Sequence, residues 1–177
     1  GGVIEVVTSG NARQGLHGSI AGSLGSFSTK TGNAIAEYGW PRTTFSVSVG
    51  LADTDRYLDP PVEQNYTNRA TTSQAAVHLE HDLTDADRVG LIVRRAQVRL
   101  TVPNELVQQG AGQRQDRDSE ETVGQFSYQR IVSTTLLGEV RGMARDLSAG
   151  LWSNAAATPI LAEQDRGIRE LYMKGTI

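Results

Sequence analysis

The 177-residue chain has no cysteine, which excludes disulfides, thiolate nucleophiles and cysteine-based metal centres together. Aromatic residues are scarce at 6%, with two Trp and three Phe, and the composition does not resemble that of an ordinary soluble core. An excess of one charge is lacking as well: 17 basic against 20 acidic residues leave a net −3, so electrostatics gives no reason to expect a nucleic-acid partner. No stretch approaches the ~20 consecutive apolar residues that a membrane helix requires. That test does not address barrel strands, which alternate and carry a weaker signal. Catalytic motifs are missing too. Neither a Gly-x-Ser-x-Gly elbow nor a phosphate-cradling Gly-x-x-x-x-Gly-Lys loop occurs, and Glu120 and Glu121 are loop neighbours with nothing to push their pKa values apart. The expectation is that the chain is not an enzyme and holds no cofactor.

What the chain does have is alternation with period two, the signature of strands with two unlike faces. In Thr43–Leu51, Phe45, Val47, Val49 and Leu51 oppose Ser46, Ser48 and Gly50. In Gln74–Asp82, Ala75, Val77 and Leu79 oppose Gln74, His78, Glu80 and Asp82. In Leu136–Arg145, Leu136, Gly138, Val140, Gly142 and Ala144 oppose Glu139, Arg141 and Arg145. At the end, Leu171, Met173, Gly175 and Ile177 oppose Glu170, Tyr172 and Lys174. Leu16–Ser26, Asn33–Tyr38 and Thr122–Ile131 alternate more weakly. Val89–Leu100 alternates except at Arg94-Arg95, where a β-bulge would restore the pattern.

Connection lengths carry more information than alternation, which soluble antiparallel sheets share. Residues 39–42, 84–87 and 132–135 are short turns, whereas Asp53–Arg69, Pro103–Glu121 and Asp146–Arg166 are long and polar. Outer-membrane barrels have this asymmetry, with short periplasmic turns and longer external loops. In that arrangement the charged strand faces line a hydrated lumen, and the faces rich in Ala, Val, Leu and Gly meet lipid. Tyr38, Trp40 and Phe45 around one short turn would contribute to an interfacial aromatic girdle.

Three clusters invite a site reading. His78 and His81 lie three apart on a strand and therefore point to opposite faces, so they cannot share an ion; His78 with Glu80 supplies two ligands, too few for a site. Asp53, Asp55 and Asp59 have the acid density of a calcium loop without its spaced ligands or its glutamate. Arg114, Asp116, Arg117, Asp118, Glu120 and Glu121 form a mixed-charge run placed in a long external loop. No metal, cofactor or catalytic residue is assigned, and ligand-contact residues stay unknown.

The opening Gly-Gly-Val-Ile-Glu-Val-Val-Thr at 1–8 resembles the last plug strand of the TonB-dependent receptors of Gram-negative outer membranes. In that family the stretch leads into the first barrel strand, as Leu16–Phe27 would here. Gly25-Ser26-Phe27-Ser28-Thr29 is similar to a Gly-Ser-Phe-Gly-Thr stretch common at that point, with Ser28 in place of the second glycine. Ala52–Tyr57 resembles the family's exit from the third strand into an external loop. The resemblance implies a plug inside a 22-stranded barrel, localisation in the outer membrane, lipid contact, an energising TonB complex reached through segments outside this chain, and a scarce small ligand such as a metal chelate, vitamin or glycan.

The resulting expectation is an all-β fold: an antiparallel transmembrane β-barrel, here a meander of about eight strands forming part of a larger barrel. Residues 1–10 would be the last strand of the plug domain and 11–177 the N-terminal part of the barrel domain. Both ends read as mid-strand, so the chain is expected to be a fragment that does not fold faithfully alone. The competing readings are a small self-contained outer-membrane barrel of structural or adhesive role, and a soluble β-sandwich binding module. The sandwich would need a dry core on one face of every strand.

Overall fold

A computed structural model describes residues 14–159 and 161–177. The expected plug strand at 1–10 lies outside them. Eight strands follow one another: β1 Gly15–Leu24, β2 Lys30–Gly39, β3 Thr43–Thr54, β4 Ala70–Asp82, β5 Asp87–Thr101, β6 Gln115–Ser133, β7 Leu136–Ser153 and β8 Glu163–Thr176. Each is antiparallel to the next, and together they make one sheet in the order β1-β2-β3-β4-β5-β6-β7-β8. The sheet does not close on itself: β1 and β8 are its two free edges.

Register places the connections at two distinct ends. Gly15 opposes Gly39 at one end of the first hairpin, and Lys30 opposes Asp53 at the other end of the second. Residues 40–42, 83–86 and 134–135 therefore lie at one end, and residues 25–29, 55–69, 102–114, 154–159 and 161–162 at the opposite end. The short turns are held locally. In the first, Trp40 and Thr43 exchange backbone hydrogen bonds of 2.7 and 3.4 Å. In the second, the Thr84 hydroxyl accepts from the amides of Ala86 at 3.1 Å and Asp87 at 3.0 Å. Neighbouring turns at this end are also tied to each other: Arg42 reaches Asp85 at 2.7 Å.

At the long-connection end, residues 25–29 form a tight turn in which Phe27 and Ser28 have φ of 57° and 55°. Ser28 thus occupies a left-handed position that favours glycine. The longer connections are organised by asparagines. The buried Asn68 side chain accepts from the amide of Leu58 at 2.8 Å and of Tyr57 at 3.2 Å, and donates back to the Leu58 carbonyl. Asn154 joins two connections, accepting from the Arg114 amide at 3.0 Å and donating to the Gly112 carbonyl at 2.8 Å. A single-turn helix, α1 Leu106–Gly110, is opened by a capping box between Glu105 and Gln108.

Two expectations need correction. The bulge expected at Arg94-Arg95 is absent: pairing runs unbroken from Val93↔Gly124 through Arg94↔Val123 to Arg95↔Thr122, and the one register shift in this part of the sheet lies between Ile131 and Ser133. The long connections are also shorter than their polarity suggested. Most of the mixed-charge run belongs to β6, residues 146–153 to β7 and residues 163–166 to β8. Those charges sit on strands because, as shown below, that part of the sheet has charged partners opposite them.

The sheet has no second layer and almost no interior. Among the described residues, the buried hydrophobic side chains are Ala70, Val123 and Ala157. The accessible surface is 12714 Å² for 19.1 kDa, against roughly 8,400 Å² for a folded monomer of that mass. Both faces of the sheet are open.

Candidate functional site: the two faces of the sheet

Because register partners share a face and successive residues alternate, the pairings sort every strand residue onto one of two faces. The apolar sides recognised separately in four strands all fall on the same one, here called face one. A single row runs Phe45, Leu79, Leu91, Phe126, Gly142, Met173 from β3 to β8. The next row runs Val47, Val77, Val93, Gly124, Ala144, Leu171. These side chains are uncovered: Leu91 is 45%, Val93 44%, Phe126 49% and Leu171 83% exposed. Aromatics gather where the band approaches the short turns. Tyr38 packs on Trp40 with ring centroids 4.3 Å apart, and Tyr38 opposes Phe45.

Charge bounds this band on both sides. Toward the short turns, Asp87 on β5 takes hydrogen bonds from Tyr128 at 2.6 Å and Arg130 at 3.3 Å on β6. Toward the long connections, Arg95 pairs with Glu120 at 2.6 Å, Arg99 with Asp118 at 3.4 Å and Arg169 with Asp146 at 2.9 Å. Farther out, Arg69 and the Thr71 hydroxyl hold Asp53 at 3.2 and 2.9 Å.

Face two shows the opposite order. Level with the apolar band it carries a chain of ion pairs across four strands: Arg94 to Glu121 at 3.4 Å, Glu121 to Arg145 at 2.6 Å and Arg145 to Glu170 at 3.2 Å. Beside it Glu139 accepts from Gln129 and Arg141, each at 2.7 Å. A concavity of about 620 Å³, lined among others by His78, Glu80, Gln125, Gln129, Glu139 and Arg141, lies on this face. Beyond the band, face two turns apolar, with Ala96, Val98 and Leu100 on β5 and Leu147, Ala149 and Leu151 on β7. On β5 and β7 the two faces therefore exchange polarity part-way along the strand. On β5 the exchange falls at Arg94-Arg95, where one arginine ends the polar zone of face two and the next begins the charged zone of face one.

His78 and His81 lie on opposite faces: His78 is 3.4 Å from Glu80, while His81 hydrogen-bonds Thr43 at 2.8 Å. Asp53 is the next-to-last residue of β3 and is paired with Arg69; Asp55 and Asp59 belong to the connection that follows. Among the described residues, no group of three or more His, Asp or Glu is placed to hold a metal ion. The sequence reading missed the ion-pair ladders on both faces; their signal was the run of opposite charges at period two in β5, β6 and β7.

No family model, curated protein or solved structure matches this chain.

Proposed function

We propose that the sheet is a section of the wall of an outer-membrane β-barrel, with face one against lipid and face two toward a hydrated lumen. The observation that carries this reading is the apolar band of face one, exposed and bounded by charge on both sides. On β5 the charges flanking it, Asp87 and Arg95, are eight residues apart; on β6, Arg130 and Glu120 are ten apart. At ~3.4 Å per residue and a strand tilt of ~40°, these spans correspond to about 21–26 Å across a membrane, close to the ~25 Å apolar belt of such barrels. A soluble sandwich would cover this face with a second sheet, and the described residues form one sheet. An open edge in lipid leaves backbone groups unpaired at several kcal/mol each, so β1 and β8 require further strands or each other.

Within that architecture, the resemblance at 1–8 and 25–29 supports the TonB-dependent receptors as the class. The chain would then be part of a transporter in which ligand binds externally and force from the TonB complex remodels a plug, with no covalent chemistry. A self-contained eight-stranded barrel is the second reading, favoured by one observation: β1 and β8 run antiparallel and each has a free edge.

Because the chain has no cysteine, single cysteines can report which face meets lipid. In the intact protein in native membranes, a water-soluble maleimide should label Gln125→Cys and Arg141→Cys and spare Val77→Cys and Val93→Cys. Equal labelling on the two faces would sink the proposal.

A further inference from the structure

Face two is not uniform from side to side. Across β5–β8 it is studded with paired charges, whereas the part of β1–β5 nearer the long connections carries none. One register row there runs Asn33, Gly50, Gln74, Ala96, and the next runs Thr31, Ala52, Thr72, Val98. These residues line a concavity of about 400 Å³. That volume falls within the ~300–1,000 Å³ typical of small-ligand sites.

Three features make this more than wetted wall. Gly50 is its floor: a Cβ there would stand 2.7 Å from the Gln74 amide nitrogen, so the Gln74 side chain lies across the glycine and depends on its lacking a side chain. Asn33 and Gln74 flank that floor from either side, two inter-strand spacings or about 10 Å apart at the backbone. Neither carboxamide hydrogen-bonds another side chain among the described residues, whereas Gln129 on the charged side is committed to Glu139. The site thus offers two amides, each both donor and acceptor, with threonine hydroxyls on one side and small apolar groups beneath. The nearest charges are Glu121, opposite Ala96 at the end of the same row, and Arg94 in the next row, and they are paired with each other at 3.4 Å.

Such a surface suits a ligand dense in hydroxyls and without charge. Amide and hydroxyl groups can match neighbouring hydroxyls as donor and acceptor together, and no ion has to be desolvated. We propose that this concavity binds a neutral saccharide. The inference names a substrate class for the barrel reading above and rests on face two lining the lumen.

Isothermal titration of the intact, detergent-purified protein tests it, with maltopentaose, cellopentaose and xylopentaose as neutral probes and pentagalacturonate as the acidic control. At least one neutral probe should saturate below about 10 mM, with the acidic probe at least tenfold weaker. Gln74→Glu, which keeps the size and adds charge, and the double change Asn33→Ala with Gln74→Ala should each weaken binding tenfold or more, with the β-sheet circular dichroism unchanged. Gly50→Val should do the same by displacing Gln74; if that variant fails to fold, the two amide variants still decide. Saturation by none of the neutral probes, tighter binding of the acidic one, or parent-like binding by the amide variants overturns the site. Membrane fractionation of the same protein separates the two proposals. Saccharide binding by a water-soluble protein would keep the site and remove the barrel, and a membrane-inserted protein that binds none of the probes would do the reverse.

Discussion

On β5 and β7 the half of each strand near the short turns and the half near the long connections use the same backbone pattern with opposite polarity. Near the turns, face one is Leu, Val and Phe while face two holds Arg141, Glu139 and Gln129. Toward the long connections, face one holds Arg95, Glu120, Arg99 and Asp118 while face two turns to Ala96, Val98 and Leu100. Strand pairing is continuous through the change. On the barrel reading proposed above, face one meets lipid only along the apolar band, and the same face beyond it stands in water and can carry charge freely. Alternation sorts residues onto faces; the medium decides which face is polar.

The largest test of this difference is a charge placed in the band. Val77→Arg, between Val47 and Val93, should lower the stability of the membrane-inserted protein by about 2–4 kcal/mol, read from urea unfolding in bilayers. Thr71→Arg, on the same face of the same strand beyond the band, exchanges a hydroxyl bond to Asp53 for a positive charge beside it and should change stability by less than ~1 kcal/mol. Equal penalties would remove the distinction between the halves. Next in size is Asn68→Ala, which removes a buried side chain that satisfies two amides and a carbonyl. A loss of about 1–3 kcal/mol is expected, confined to the long-connection end and visible as faster amide exchange in residues 55–69 with the band unchanged. Ser28→Gly should stabilise by about 0.5–1 kcal/mol, because a left-handed backbone is strained for serine; a loss instead would mean the hydroxyl has a role there. The smallest effect belongs to the charged ladder. A double-mutant cycle on Arg95 and Glu120, which are substantially exposed, should give a coupling of roughly 0.2–1 kcal/mol that fades with salt.

Much of the fold was legible in the sequence because the strongest strands repeat a simple rule. Phe45-x-Val47-x-Val49-x-Leu51 and Leu136-x-Gly138-x-Val140-x-Gly142 declare their faces without help. What was misread follows from assuming one solvent per face along a whole strand. Under that assumption Asp116, Asp118 and Glu120 look like loop, since charge appears where apolar residues had been, and Arg94-Arg95 looks like a bulge. In the structure both are ordinary strand, and the polarity changes instead of the register. The long polar connection expected at Asp53–Arg69 is irregular from residue 55 to 69, where Pro60 and Pro61 interrupt pairing whatever the solvent, while Asp53 and Thr54 belong to β3. The neutral concavity was not foreseen, since Asn33, Gly50 and Gln74 are far apart in the chain and become neighbours only through the pairing of three strands.

The meander itself has a kinetic consequence. Each strand pairs with the one made just before it and the one made just after, so the growing edge is always the template for the next segment. The widest gap to be closed within the described sheet is the stretch 55–69, and loop-closure entropy rises only slowly with length. Assembly can therefore advance hairpin by hairpin like a zipper, without a distant segment having to find its place, and a stall at any stage leaves the most recent edge as the reactive one.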